Sequence, residues 1–161
     1  MTIAVGAQLP EVDLFKMGED GPEACSVSEL FKGKKCVLLA VPGAFTPTCH
    51  QNHVPGFLNA HDQLKAKGID EIFCVAVNDP FVVSAWASAL GVGDKITMLS
   101  DGNGTFTKAI GTELDGSGFG LGLRSHRYAM LVEDGVVKTL NLEEDPTQAD
   151  VSSAEKLLES L

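Results

Sequence analysis

Four cysteines are the residues of this 161-residue chain best suited to nucleophilic or redox chemistry: Cys25, Cys36, Cys49 and Cys74. No two of them form a Cys-x-x-Cys pair, and a chain of this length with 44% apolar residues can bury a core without disulfides. We therefore expect free thiols in a reducing compartment. Because the thiolate is the nucleophile, the reactive cysteine is the one placed where an anion is favoured.

Cys49 occupies such a place. It ends the segment Pro42–Cys49, in which Thr46 is a suitable helix N-cap and Pro47 suits the first helical position. Cys49 then lies in the first helical turn, where backbone N–H groups lack intrahelical partners and the helix dipole favours an anion. A thiol there should lose its proton more readily than a free thiol. The alternative is a buried structural cysteine, since this residue type is often buried.

Two histidines close to Cys49 offer further interpretations. His53 is near enough in sequence to serve as the base of a cysteine hydrolase. Cys49, His50 and His53 together would be a metal site, but their spacing matches no familiar ligand pattern and no second cluster accompanies them. We therefore expect no metal and no organic cofactor.

The elements around Cys49 follow from the apolar pattern. Residues 35–41 and 70–77 are apolar runs typical of buried strands. Between them, residues 47–67 predict a helix that ends at Gly68. Pro55 should interrupt or bend this helix unless its turn is already distorted. A strand, a helix and a strand at this spacing predict a parallel pair joined by a right-handed crossover.

The rest of the chain continues with short helices and strands. The predicted elements are a helix near 80–90, a strand near 96–99, a helix around 104–110, a glycine-rich loop over 111–122, strands over 126–132 and 136–142, and a last helix opening at Ser152 or Ser153. Glu133-Asp134-Gly135 predicts a hairpin turn, and Ser152 with Glu155 fits a capping box.

This order of elements predicts the fold class. It indicates one domain over residues 1–161, an α/β sandwich with a mixed central sheet flanked by helices, in outline the thioredoxin-like plan.

The composition excludes several classes of function. The formal net charge of −10 would repel phosphate backbones, so we expect no nucleic-acid partner. No apolar run is long enough to span a bilayer, and the start of the chain shows no signal peptide. We expect a cytoplasmic protein, although a processed organelle protein would look the same.

The residues around Cys49 resemble a known family. The pattern Pro42-x-x-x-Thr46-x-x-Cys49 is similar to the active-site signature of the peroxiredoxins. The string PGAFTPTC, followed by His53-Val54-Pro55-Gly56-Phe57, resembles the type II, or peroxiredoxin-five, subfamily. The other matching segments are Val77-Asn78-Asp79-Pro80-Phe81, Trp86, Ser125-His126-Arg127-Tyr128-Ala129 and Glu133-Asp134-Gly135-Val136-Val137. The likeness covers nearly the whole chain; it departs from the subfamily at His50, where a serine is common.

The resemblance implies a role for each of four residues. Cys49 would attack the terminal peroxide oxygen and become a sulfenic acid, and Thr46 would orient the peroxide and the thiolate. Pro42 would shield the sulfur from water, and Arg127 would stabilise the thiolate and polarise the peroxide. Arg124 is an alternative to Arg127. The resemblance favours Arg127, because the family's arginine directly precedes a strand such as Tyr128-Ala129-Met130.

The same resemblance implies substrates and partners. It implies reduction of hydrogen peroxide and alkyl hydroperoxides, with glutaredoxin and glutathione or thioredoxin as the reductant. Cys74 matches a second cysteine for which a resolving role is proposed, yet its β-run predicts burial, and a disulfide needs Cα atoms within roughly 7 Å. Direct attack of glutathione or glutaredoxin on the sulfenic acid is the alternative.

The resemblance also implies an assembly and a second kind of function. A homodimer is expected, with contacts from the loops at 43–48, 78–81 and 111–122. A redox sensor or holdase on the same fold, with Cys49 as the sensor and little turnover, is the alternative to the peroxidase.

Overall fold

A computed structural model describes all residues from Met1 to Leu161. It contains a seven-stranded sheet, a separate two-stranded ribbon and six α-helices. The strands are β1 (Asp13–Gly18), β2 (Gly21–Ser26), β3 (Lys35–Val41), β4 (Glu71–Ala76), β5 (Thr97–Ser100), β6 (Glu113–Asp115), β7 (Leu123–Ser125), β8 (Tyr128–Glu133) and β9 (Val136–Leu142). The helices are α1 (Val27–Phe31), α2 (Val54–Asn59), α3 (His61–Ala66), α4 (Pro80–Leu90), α5 (Thr105–Ile110) and α6 (Ala154–Glu159).

The large sheet is mixed, and its strand order is β2-β1-β5-β4-β3-β8-β9. β3 and β4, the two apolar runs predicted as buried strands, form a parallel pair at the centre of the sheet. β4 also runs parallel to β5, whereas β8 pairs with β3 in the antiparallel sense. The predicted α/β sandwich with a mixed central sheet is confirmed.

Each face of this sheet is covered by its own layer of buried side chains. One layer contains Cys49, Phe57 and Trp86, and the other contains Phe31 and Phe106. Burial of each such aromatic side chain contributes on the order of 2 kcal/mol. The segment that carries Cys49, residues 42–49, is therefore anchored in the core on one side of the sheet. None of the helices is long and apolar enough to cross a membrane.

The helix predicted over 47–67 is interrupted. Pro47 and Thr48 begin it, Cys49–His53 form a π-helical turn, and α2 and α3 follow with a break at Ala60. In the widened turn the Val54 N–H donates to Cys49 O, five residues back. Pro55, which lacks an N–H group, follows this turn directly, so the expected distortion is present.

Other parts of the chain differ in detail from the predictions. The segment 111–122 is not only loop, since β6 pairs there with β7 and Ser117–Phe119 form a 3-10 turn. Cys25 lies in the edge strand β2, where Pro22 is tolerated because an edge strand needs fewer ladder hydrogen bonds. The last helix, predicted to open at Ser152 or Ser153, begins at Ser153, which accepts from Lys156 N. The capping box predicted for Ser152 is wrong, since Ser152 donates to Glu143 instead.

The hairpin that joins β8 to the edge strand β9 turns at the residues predicted from the sequence. Asp134 and Gly135 have φ values of 49° and 79°, and this left-handed pair connects β8 to β9. β8 begins at Tyr128 and not at the predicted residue 126. Arg127 consequently lies just before the strand, and its side chain reaches Cys49.

Candidate active site

The loop after β3 carries Cys49 into the first turn of the helix, as predicted. The first helical hydrogen bond runs from His50 N to Thr46 O at 2.9 Å, so Cys49 is the third residue of the helix. The loop is fixed from the neighbouring strand, because Ala44 N donates to Asn78 Oδ1 at 2.9 Å. Parallel strands end at one edge of a sheet, and this brings the loops after β3 and β4 together.

The Cys49 sulfur is fully buried and has two polar neighbours. Thr46 Oγ1 lies 2.9 Å from Sγ, and Arg127 Nη2 lies 3.2 Å from it. A hydroxyl and a guanidinium both donate hydrogen bonds to an anionic sulfur. Together with the helix start, they form a surrounding suited to a thiolate.

Thr46 does more than begin the helix. Its backbone carbonyl accepts the first helical hydrogen bond, while its hydroxyl lies 2.7 Å from Gly43 O and 2.9 Å from the sulfur. A hydroxyl has one hydrogen, so it donates to the carbonyl or to the sulfur at any one time. With a thiol it can accept from S–H, and with a thiolate it can donate, so it accommodates both states.

Arg127 is buried and held from several directions. Its Nη1 donates to His53 Nδ1 and its Nη2 to Pro146 O, both at 3.1 Å, while its buried Nε has no partner in the protein. No carboxylate forms an ion pair with it. A guanidinium is always charged, so a Cys49 thiolate would be its one anionic contact. The free Nε–H is a donor that a substrate oxygen could satisfy.

The alternative arginine lies elsewhere. Arg124 donates from Nε to Leu121 O at 2.9 Å and from Nη1 to Pro42 O at 3.5 Å. It braces the proline at the start of the reactive loop, whereas Arg127 reaches the sulfur. The geometry therefore favours Arg127 as the partner of Cys49.

His53 holds the arginine and is unsuited to act as a base. Its Nε2 lies 3.0 Å from Ser152 O, an acceptor only, so the proton is on Nε2 and Nδ1 accepts from Arg127. Burial, and then the Arg127 charge, lower the His53 pKa to about 3. No local pattern predicts the pairing of His53 with Arg127, because the contact spans 74 positions. This geometry disfavours the cysteine hydrolase.

The neutral state of His53 makes a testable contribution to stability. As the pH falls below 6.5, the ordinary pKa of histidine, His53 becomes protonated in the unfolded chain but stays neutral in the folded chain until about pH 3. The free energy of unfolding should therefore decrease as the pH falls from 6.5 toward 3, and it should be about 2 kcal/mol lower at pH 5 than at neutral pH. Urea titrations of wild-type protein and His53→Gln at pH 7.5 and pH 5 measure it. The variant should lose about 2 kcal/mol less; equal losses in both proteins would contradict the assignment.

His50 belongs to an aromatic group beside the site. Its Nδ1 accepts from Trp86 Nε1 at 2.9 Å, and the exposed Phe45 ring stacks on it at 5.9 Å. Phe45 has a φ of 64°, which is unusual for a bulky residue and indicates a constrained backbone. His50 Nδ1 and both ring nitrogens of His53 are thus engaged by Trp86, Arg127 and Ser152.

A mostly apolar cleft of about 530 Å³ opens over the site. Pro42, Thr46 and Arg127 are among its lining residues, and Leu114 and Phe119 form another part of its wall. Much of this wall comes from the region predicted as a plain loop. The cleft is far larger than a hydrogen peroxide molecule, and its lining suits an organic group.

The remaining cysteines are in surroundings that keep them protonated. Cys74 is buried in β4 between Leu39 and Met98, and burial raises its pKa well above the ordinary range. Burial raises the pKa of Cys36 to about 12 and also raises that of Cys25. All four cysteines are free thiols.

Comparisons with known proteins agree with this geometry. The sequence profile of the Redoxin family matches residues 4–158. The chain is 52% identical to chloroplastic peroxiredoxin-2E-2 of Oryza sativa subsp. japonica, over 99% of this chain and 73% of that protein. It is 51% identical to peroxiredoxin-2C of the same plant, over 99% and 98% of the two chains.

A solved structure extends the likeness to the fold. The crystal structure of reduced Prx3 from Vibrio vulnificus in complex with hydrogen peroxide superposes with a TM-score of 0.93, at 52% identity over 99% of each chain. This confirms the thioredoxin-like architecture. These matches cover nearly the whole chain at about 50% sequence identity. The chain therefore belongs to the peroxiredoxins, the thiol peroxidases that reduce peroxides through a cysteine.

Proposed function

We propose that this peroxiredoxin is of type II and reduces hydrogen peroxide and alkyl hydroperoxides through Cys49, with Thr46, Arg127 and Pro42 as the other site residues. The observation that carries the assignment is the Cys49 sulfur, buried and shared by Thr46 Oγ1 and Arg127 Nη2. The apolar cleft above it supports alkyl hydroperoxides as substrates.

The chemical step follows from the donors around the sulfur. The Cys49 thiolate attacks the terminal peroxide oxygen, forming an S–O bond while the O–O bond breaks. The electron pair of that bond goes to the leaving oxygen, which takes up a proton and departs as water or an alcohol. The Arg127 guanidinium stabilises the negative charge on this oxygen, and Pro42, which lines the cleft, limits access of water to the sulfur.

A thiol reductant then returns the sulfenic acid to the thiol. The first reductant thiol attacks the sulfur and releases water, leaving a mixed disulfide that a second thiol resolves. Glutaredoxin with glutathione, or thioredoxin, supplies these thiols. Four free cysteines support action in a reducing compartment such as the cytoplasm.

Peroxide consumption tests the function. Wild-type protein with dithiothreitol should consume hydrogen peroxide and cumene hydroperoxide, whereas Cys49→Ser should leave the uncatalysed rate. Cys36→Ser is a matched control, since its thiol lies in the other core layer. If wild-type protein is no faster than Cys49→Ser, the proposed function is wrong.

Cys74 should be dispensable for turnover. It is fully buried in a central strand, and a protonated thiol attacks a sulfenic acid poorly. With glutaredoxin and glutathione, Cys74→Ser should keep kcat within about twofold of wild type. Steady-state assays with glutaredoxin and with thioredoxin measure this. A large loss with both reductants, in a variant that remains folded, would establish Cys74 as a resolving cysteine.

The edge of the sheet that carries the site supports a homodimer. Each of the three segments expected at the interface presents an exposed phenylalanine: Phe45, Phe81 at the start of α4, and Phe119 in the 3-10 turn. Such residues around one edge are typical of a protein interface. Phe81→Glu should raise the dimer dissociation constant at least about tenfold, whereas Val5→Glu, an exposed control in the N-terminal segment, should not. Sedimentation velocity measures both; a monomeric wild-type protein refutes the dimer.

A further inference from the structure

The segment after β9 crosses the active site. We call residues 143–152 the C-terminal strap. Three of its backbone carbonyls accept hydrogen bonds from side chains around Cys49: Pro146 O from Arg127 Nη2 at 3.1 Å, Thr147 O from Thr48 Oγ1 at 3.0 Å, and Ser152 O from His53 Nε2 at 3.0 Å. The strap therefore contacts the cysteine helix and the arginine at once.

One buried carboxylate holds the two ends of this strap together. Glu143 Oε1 accepts from both Ser152 N and Ser152 Oγ at 3.0 Å, nine residues later in the chain. The Glu143 N–H donates to Arg127 O at 2.9 Å. Glu143 is thus bonded to the backbone of the catalytic arginine at one end and to the partner of His53 at the other.

This use of a carboxylate calls for an explanation beyond loop closure. Glu143 is only 5% exposed and forms no ion pair, and burying a charge without a counter-ion is costly. An apolar side chain could fill this position at lower cost. What a buried acceptor oxygen at this reach adds is a fixed position for Ser152, and hence for its carbonyl.

The position of that carbonyl decides which nitrogen of His53 carries the proton. While Ser152 O accepts from Nε2–H, Nδ1 is unprotonated and can accept from Arg127. If the carbonyl moves away, the ring can adopt the other tautomer, with the proton on Nδ1. That tautomer cannot accept from Arg127, which then loses one of the bonds that aim it at the sulfur.

We propose that Glu143 is a positioning residue for the Cys49 site, acting through Ser152 on the His53 tautomer and so on the orientation of Arg127. This inference rests on the proposed function for its kinetic consequence. It assigns the strap a part in the reaction although Glu143 itself does not touch Cys49.

Four variants separate positioning from simple loop stability. Glu143→Gln keeps an acceptor oxygen at the same reach without the charge. Glu143→Asp keeps the charge but withdraws the oxygens by one methylene, and Glu143→Ala removes the acceptor. Glu144→Ala is the matched control, because that neighbouring carboxylate is exposed.

Two measurements are made on each variant that retains wild-type circular dichroism. The second-order rate with hydrogen peroxide should stay within about threefold of wild type in Glu143→Gln and Glu144→Ala, and fall at least about tenfold in Glu143→Asp and Glu143→Ala. The ¹⁵N chemical shifts of His53 should show Nε2–H in wild type and Glu143→Gln. An Nδ1–H population should appear in the Asp and Ala variants.

The two readouts together decide the proposal. A loss of rate without a change of His53 tautomer, or Asp and Ala variants with wild-type rate and tautomer, overturns it. If Glu143→Ala does not fold, the comparison of Gln with Asp decides alone. If wild-type protein reduces no peroxide, the proposed function fails. The tautomer and the rate of Cys49 alkylation by iodoacetamide then still test the strap.

Discussion

Arg127→Gln should reduce the second-order rate of peroxide reduction roughly 10²–10³-fold. The guanidinium lies 3.2 Å from the Cys49 sulfur at a buried position, where its charge is poorly screened by water. Glutamine keeps an amide donor but removes the charge that stabilises the thiolate before the reaction. It also removes the charged donor that stabilises the oxygen leaving during the reaction. Thiolate formation and O–O bond cleavage should therefore both become less favourable.

Two probes separate these two contributions. Iodoacetamide alkylation at pH 7 reports only on the sulfur, because this reagent has no peroxide oxygen, whereas stopped-flow kinetics with hydrogen peroxide report on both. We expect the peroxide rate to fall more than the alkylation rate. Arg124→Gln is the control, since Arg124 contacts Leu121 and Pro42 carbonyls and not the sulfur. Normal rates in Arg127→Gln with a loss in Arg124→Gln would reverse the assignment.

Thr46→Val should lower the peroxide rate by about 10- to 100-fold, since a hydrogen bond to a charged group contributes about 1.5–3 kcal/mol. Valine has nearly the same shape as threonine but lacks the hydroxyl that lies 2.9 Å from the sulfur. The variant also loses the bond to Gly43 O, which leaves a carbonyl of the reactive loop without this donor. Part of the effect should therefore appear as a lower melting temperature.

Thr46→Ser provides the control for this second prediction. Serine restores the hydroxyl without the methyl group, and it should return the rate to within a few-fold of wild type. Stopped-flow measurements with hydrogen peroxide compare the three proteins at one pH. If valine reacts as fast as threonine, Thr46 serves only the helix start and has no part in the reaction.

The two predictions share a structural cause. Thr46 is three residues from Cys49 and reaches the sulfur within the same turn, whereas Arg127 reaches it from 78 positions away. The first contact depends mainly on local backbone geometry. The second depends on β3 and β8 being neighbours in the sheet and on the C-terminal strap. Mutations in the strap should therefore affect Arg127 more than Thr46.

Local sequence determined the position of Cys49 at the start of its helix. The order Thr46-Pro47-Thr48-Cys49 after an apolar strand specifies a capped helix start, and the first helical bond does run from His50 N to Thr46 O. The buried strands and the Asp134-Gly135 turn were predictable for the same reason: period, propensity and turn chemistry act over a few residues.

Only the tertiary structure decided how that residue is surrounded. The sequence left Arg124 beside Arg127 as an alternative, suggested His53 as a base, and assigned Ser152 to a helix cap. In the folded chain, Arg127 reaches the sulfur, His53 is a neutral acceptor for it, and Ser152 binds Glu143. These contacts join residues 9 to 78 positions apart, and their geometry depends on sheet register and loop closure, which no local pattern encodes.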